Sequence, residues 1–188
     1  MPPLIRYNFA PTLNGVIASA PSFLTPWIVS DPTIDFPALY AEFSVFLLGR
    51  RTYETFLAMG SNENPLAGRP RESVVVFTRD SDKAIEWSRD VTVVSDDAVG
   101  FVRALKAKPL EGDIWLMGGG ELAGLLLRAG LVDIVEAAIM PAVVGKGVSM
   151  FGEGVGEGDK GEQGWQLVLE KAEALKTGIL MTRYRVLY

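Results

Sequence analysis

The sequence predicts an α/β domain with a mixed, mainly parallel sheet that ends in antiparallel C-terminal strands. Three observations carry this. Short apolar runs recur through the first two-thirds of the chain, namely "SVFLLG" (44–49), "SVVVFT" (73–78), "VTVVSD" (91–96) and "IWLMG" (114–118). Runs of that length and apolarity fit strands buried on both faces. Each is followed by a helix-favouring segment, and such alternation builds a parallel sheet. Beyond the last helix the pattern turns strand-rich, which adds antiparallel edge strands.

The elements follow in order. "LIRYNFA" (4–10) alternates loosely and reads as a first strand, and after the turn "PTLNG" strand character resumes in "VIASA". Prolines at 21, 26, 32 and 37 then exclude a continuous helix or a central strand. This stretch reads as an ordered loop holding Trp27, with a short helix starting near Asp35. Phe36, Leu39, Tyr40 and Phe43 form one helical face. "RRTYETFLAM" suits a helix with Thr52 and Glu54 in its first turn, and "GSNENPLAGRPRE" is a loop. "DSDKAIEWSRD" is a short helix or turn. "DAVGFVRALKAK" is amphipathic through Val99, Val102 and Leu105. "ELAGLLLRAG" is a helix stopped by Gly130. "VDIVEAAIMPAVVG" (132–145) reads as one strand. "WQLVLEKAEAL" and "GILMTRYRVLY" read as a closing pair of strands, although the first is rich enough in Glu, Lys and Ala to fit a helix as well. The acidic, glycine-rich 152–164 fits either a lid or a disordered excursion. No period repeats and no linker divides the chain, so residues 1–188 are expected to form a single domain.

Composition removes several functions. The 188 residues contain neither Cys nor His. Disulfides, thiolate nucleophiles, Ser-His-Asp triads and His- or Cys-ligated zinc are thereby excluded. Acid–base chemistry falls to Asp, Glu, Tyr, Lys, water or a cofactor. The net charge is −5 and the pI about 4.9. There is no basic block of the kind that tracks a nucleic acid. No apolar run approaches the roughly 20 residues of a membrane span, and the N-terminus lacks the pattern of a secretory signal. The expected location is the cytoplasm, and the expected partner a small molecule.

Three strand ends stand out. "LLGRRT" places Gly49 at a strand terminus, with Arg50 and Arg51 in the turn and Thr52 in the first helical turn. "VVFTRD" places Thr78 and Arg79 at the end of another strand. "LMGGGEL" places Gly118, Gly119 and Gly120 at a third. Open α/β sheets bind ligands beyond the carboxyl ends of their strands. Helix N-termini offer free N–H groups to phosphates, and Arg adds multidentate recognition. Each stretch alone also fits an ordinary βα turn, and the glycine triplet is neither a dinucleotide fingerprint nor a P-loop.

"LLGRRTYETF" resembles the strand–helix junction of the dihydrofolate reductase-like superfamily, and "IWLMGGGELAGLLLRAGLVD" resembles its Gly-Gly junction. "IMPAVVGKGVSMF" is similar to the P-x-x-x-G-x-G-x-x-x-F segment of one branch. That branch contains the C-terminal reductase domain of bacterial riboflavin biosynthesis (RibD C-terminal-like) and its small stand-alone relatives. "FAPTLNGVIA" resembles the branch's opening turn, with Asn14 where the branch has Asp.

The resemblance covers nearly the whole chain. It implies helices on both sheet faces and NADPH bound across the strand ends, often in a homodimer. Arg50 would meet the adenosine 2′-phosphate. Thr52, beside Gly49 and Arg51, would bind the pyrophosphate. Thr78 and Arg79 would flank the adenine ribose phosphate. Gly118, Gly119 and Gly120 would let the cofactor approach, with Glu121 and Leu122 at the helix start. Ala10 and Ile17 would contact the nicotinamide. Gly119 and Gly120 would be least tolerant of a side chain.

The acid that holds the pterin in true folate reductases matches neither Asp31 nor Asp35 cleanly, and its supporting Thr has no counterpart. Asp35 reads as a helix cap or as a proton donor. Trp27 reads as a core plug or as an anchor over the nicotinamide. The implied activity is hydride transfer from NADPH to a C=N or C=O bond of a small heterocyclic or ring-bearing substrate. Non-redox binding or catalysis in the same cleft is the alternative, and a scaffold role leaves the three strand ends unexplained.

Overall fold

The computed structural model describes residues 2–20, 22–153 and 164–188. The reading of 152–164 as lid or excursion therefore falls largely outside the described residues. Among the described residues, ten strands and five α-helices follow one another: β1 (Ile5–Phe9), β2 (Val16–Ser19), α1 (Phe36–Ala41), β3 (Phe43–Gly49), α2 (Arg50–Ala58), β4 (Val74–Phe77), α3 (Ser81–Trp87), β5 (Thr92–Val94), α4 (Ala98–Lys106), β6 (Asp113–Gly118), α5 (Gly120–Arg128), β7 (Ile134–Ile139), β8 (Gly147–Ser149), β9 (Gln166–Ala174) and β10 (Leu180–Leu187). Eight strands form one sheet in the order β5-β4-β3-β6-β1-β7-β10-β9, and β2 pairs with β8 in a separate ribbon. Every pairing from β5 through β7 is parallel. β10 runs antiparallel to both β7 and β9.

Side-chain alternation explains why the central strands are apolar throughout. Val45, Leu47, Val75, Ile114 and Leu116 point into one cluster with Val102 and Leu105 of α4 and Leu122, Leu126 and Leu127 of α5. Phe46, Leu48, Val74, Val76 and Trp115 point the opposite way, against Tyr53 of α2 and Trp87 of α3. Both faces are covered, so both sets of side chains are apolar.

From β1 outward, the second face changes character. Arg6, only 6% exposed, forms a two-pronged ion pair with Glu136, with Nε–Oε2 and Nη2–Oε1 both 2.9 Å. It reaches Glu42 at 2.5 Å and Asp113 at 3.4 Å, and lies 4.4 Å over the Phe43 ring. Glu136 also pairs with Arg183, and Glu170 with Arg183 and Arg185. A buried guanidinium is tolerable only when matched in this way. The network accounts for the loose alternation of "LIRYNFA" and for the acidic Glu136 inside β7.

Several expected boundaries move. Phe43 begins β3 rather than ending the helix before it. The strand expected over 132–145 stops at Ile139, because Pro141 has no N–H to continue the ladder. The chain turns there and makes the three-residue β8. "VIASA" forms β2, which joins β8 rather than the main sheet. Pairing along β10 settles "WQLVLEKAEAL" as the strand β9. Gly130, at φ +70°, ends α5 as expected. Among the described residues, no helix is long and apolar enough to cross a membrane.

Candidate functional site

Helix N-termini differ in a way that locates the site. Asp35 caps α1 by accepting from the Ala38 N–H at 2.9 Å. Asp80 caps α3 through Lys83 N at 3.1 Å, and Asp97 caps α4 through Gly100 N at 2.9 Å. The two remaining helices start on glycine. Gly49 and Gly119 are the N-caps of α2 and α5, with no side-chain cap. Their first-turn N–H groups therefore remain available to an external acceptor. These two helices follow β3 and β6, which are neighbours in the sheet, so the two open N-termini lie side by side.

A cleft of about 1170 Å³ opens at this edge. Its lining includes Ala10, Ile17, Gly49, Arg50, Arg51, Thr52, Thr78, Arg79, Gly119, Gly120, Glu121 and Leu122. Twelve of the thirteen residues expected to hold a cofactor thus meet on one cavity. The exception, Gly118, lies just beneath it at φ +117°, joined by a cis peptide to Gly119.

The glycines have separate reasons to be glycine. Gly118 adopts a backbone conformation that L side chains rarely reach. At Gly119 a Cβ would find only the Thr52 hydroxyl, 3.7 Å away, so the position is open toward the cleft. At Gly120 a Cβ would collide with the Ser149 carbonyl oxygen at the end of β8. Gly120 thus excludes a side chain, as expected, and its own backbone neighbour is already a sufficient reason.

Among the arginines, Arg50 pairs with Glu54 one helical turn on, at 3.1 Å. The Arg51 guanidinium stacks on the Phe23 ring at 4.2 Å. Thr78 is buried, and its hydroxyl accepts the Asp80 N–H at 3.1 Å, shaping the turn that carries Arg79.

The two residues expected to act in catalysis lie elsewhere. Asp35 is exposed, committed to capping α1, and absent from the cleft lining. Its helix faces a second cavity of about 670 Å³, lined in part by Phe36, Tyr40, Phe43 and Arg69. Trp27 is half-buried and also outside the lining, with its indole N–H unpaired among the described residues. Asp31, the other acid considered, is buried. It accepts from the Thr177 hydroxyl at 2.6 Å and from Thr33 Oγ1 and N at 2.5 and 2.9 Å. These bonds, that of Thr177 first, hold its carboxyl down at about 2. It is ionised at neutral pH and pins the proline-rich loop to the β9–β10 turn.

Sequence reasoning missed part of the cleft. Ser95, Asp96, Asp97 and Ala98 line it from the β5–α4 junction, and Phe23, Thr25 and Ile28 line it from the proline-rich loop. The first group was accessible, because β5 ends on the same sheet edge as the three junctions singled out. The second was not, because a proline-rich loop has no periodicity that says which side chains turn inward.

The Asn14 carboxamide of the opening turn donates to the Val144 carbonyl at 2.8 Å and accepts its N–H at 3.2 Å. An Asp at this position could only accept. The bond pair ties the turn to the loop before β8, and the β2–β8 ribbon presents Ile17, Ala18 and Val148 to the cavity.

Comparison with known proteins agrees with this architecture. The chain is 28% identical over 154 residues to the uncharacterised protein YyaP of Bacillus subtilis, covering 78% of this chain and 79% of that protein. It superposes on the Thermotoga maritima diaminohydroxyphosphoribosylaminopyrimidine deaminase/5-amino-6-(5-phosphoribosylamino)uracil reductase with a TM-score of 0.67 at 19% identity, covering 98% of this chain and 57% of that one. On the Enterococcus faecalis dihydrofolate reductase complexed with NADP(H), the TM-score is 0.59 at 18% identity, with 97% and 96% covered. These two likenesses establish a shared dihydrofolate reductase-like fold. Residues 3–181 match the RibD C-terminal domain, and the chain belongs to that family.

Proposed function

We propose that this protein is an NADPH-dependent reductase that transfers hydride to a C=N or C=O bond of a small heterocyclic or ring-bearing substrate. The observation that carries the reading is the pair of uncapped, glycine-started helices whose N-termini share one cleft. Their free N–H groups, the open face of Gly119 and the neighbouring arginines fit the phosphates of a dinucleotide. Family membership and the reductase-like fold support the same chemistry.

When bound, NADPH supplies the hydride. The chain's own residues bind and orient. The first-turn amides of α2 and α5, with the Thr52 hydroxyl, take the pyrophosphate. Arg50 meets the 2′-phosphate, and Thr78 and Arg79 flank the adenine ribose phosphate. Ala10 and Ile17 pack against the nicotinamide and exclude water from the reacting face. Asp35 caps α1 outside the cleft lining, so the proton for the product comes from water or from a carboxyl that lines the cleft, such as Asp96 or Glu121. We further assign a homodimer to the chain. The edge strand β9 supports it: all nine of its residues are exposed, Leu167, Val168 and Leu169 among them, and bare apolar edges seek a partner.

The activity test is NADPH oxidation followed by absorbance with a panel of cyclic imines and ring ketones. Acceptor-dependent oxidation is expected, and cofactor binding with no oxidation by any of them contradicts hydride transfer. Light scattering tests the dimer, with twice the 20.4 kDa chain mass expected and the monomer mass contradicting it.

A further inference from the structure

Phe23 is strained and stacked at once. It sits at φ +56°, a left-handed conformation that costs a bulky residue roughly 1–2 kcal/mol and marks a position worth a functional question. A tight turn holds it there. The Phe23 N–H donates to the Ser19 carbonyl at 2.9 Å, the Ser19 N–H donates to the Leu24 carbonyl at 2.9 Å, and the Leu24 N–H donates to the Ser19 hydroxyl at 3.1 Å. Bonded in this way, the turn fixes the Phe23 backbone and with it the direction in which the side chain leaves the chain.

That ring lies under the Arg51 guanidinium at 4.2 Å. Among the described residues Arg51 makes no side-chain hydrogen bond or ion pair, so the stack is its one fixed contact and its N–H donors remain free in the guanidinium plane. Phe23 and Arg51 both line the cleft, one from the proline-rich loop and the other from the first turn of α2. The contact therefore bridges two walls.

We infer that Phe23 is a positioning residue: stacked beneath Arg51, it straps the proline-rich loop across the cleft to α2 and slows release of the dinucleotide. The release claim rests on the cofactor reading above. The strap itself is a property of the free protein. A phosphate engaging the free N–H groups of Arg51 leaves the π-face of the guanidinium on Phe23 undisturbed, so the strap and the bound anion share one side chain without competing.

Two measurements test this on the full chain. The first is amide hydrogen exchange of the ligand-free protein at Ser19 and Leu24. Phe23→Leu should raise exchange there roughly 2- to 30-fold, the range set by a cation–π contact. Phe23→Tyr, which keeps the ring, should restore parent rates, and in an Arg51→Gln background Phe23→Leu should have no further effect. Unchanged exchange in Phe23→Leu, or an equal increase with Arg51 already replaced, overturns the strap. The second is stopped-flow release of NADPH. Release from Phe23→Leu should accelerate by a similar factor with the association rate unchanged. Accelerated exchange without accelerated release overturns the positioning role. A parent protein that binds no NADPH overturns the cofactor reading, while exchange still decides the strap.

Discussion

Gly49 and Gly119 meet back to back across β3 and β6: a Cβ on Gly49 would stand 3.2 Å from the Gly119 amide nitrogen. Each is the N-cap of a helix that lacks a side-chain cap. The two junctions therefore form one cradle, in which the absence of side chains both lets the turns approach and leaves their N–H groups uncovered.

The glycine triplet can be dissected. Gly119→Ala adopts the same backbone, at φ −83°, and its methyl meets no protein atom closer than the Thr52 hydroxyl. It should melt within about 2 °C of the parent, since substitutions without a clash are nearly neutral. NADPH affinity should fall at least about tenfold, because the methyl occupies ligand space. Gly120→Ala should instead lose about 1–3 kcal/mol of stability through overpacking against Ser149, read as a lowered midpoint in urea.

Arg50 should set cofactor preference. A charge-assisted bond to the 2′-phosphate contributes roughly 1.5–3 kcal/mol. Arg50→Ala should therefore weaken NADPH by about 10- to 100-fold and leave NADH within about twofold. Equal losses for both cofactors would remove Arg50 from the 2′-phosphate. Glu54, paired with Arg50 at 3.1 Å, competes for the same guanidinium, so Glu54→Gln should tighten NADPH selectively.

Acid should loosen the proline-rich loop through Asp31. Its carboxyl, ordinarily near 3.8, is held down to about 2 by Thr177 and Thr33. For a depressed acid, the stabilisation is fully present above the ordinary value and is lost as pH falls through the folded one. Trp27 fluorescence should thus shift as pH falls from about 4 toward 2, beyond any shift in Asp31→Asn. Identical titrations of parent and variant would show that Asp31 does not anchor the loop.

Asn14→Asp should detach the opening turn at one point. The acid keeps the bond from the Val144 N–H but loses the donor to the Val144 carbonyl. The expected loss is about 1 kcal/mol, measured by urea denaturation, with Asn14→Ala costing more.

Much of this was legible from sequence because the signals were local. Uniform apolarity marked β3, β4 and β6, whose two faces are both covered. Glycine and arginine at strand ends marked the cleft, since the carboxyl edge of a parallel sheet brings such ends together. The β2–β8 ribbon was not legible. β8 has three residues and exists only through pairing with a strand more than a hundred positions earlier. β9 was ambiguous because its residues are exposed, so burial left no period in them, and its pairing with β10 decides it. Spacing left Asp35 open between cap and acid, because it does not say where α1 faces; in the fold Asp35 caps α1 and is absent from the cleft lining. Gly120 looked like its neighbours and differs only because Ser149 packs on it.

The central claim is that this cleft holds NADPH at the paired open N-termini of α2 and α5. Fluorescence titration of the parent protein with NADPH, alongside NADH, tests it most directly. Saturable NADPH binding is expected within the roughly 1 μM–1 mM range usual for enzyme ligands, at least tenfold tighter than NADH and weakened by Gly119→Ala. No saturable binding up to about 1 mM would contradict the claim and turn the cleft over to a non-redox ligand.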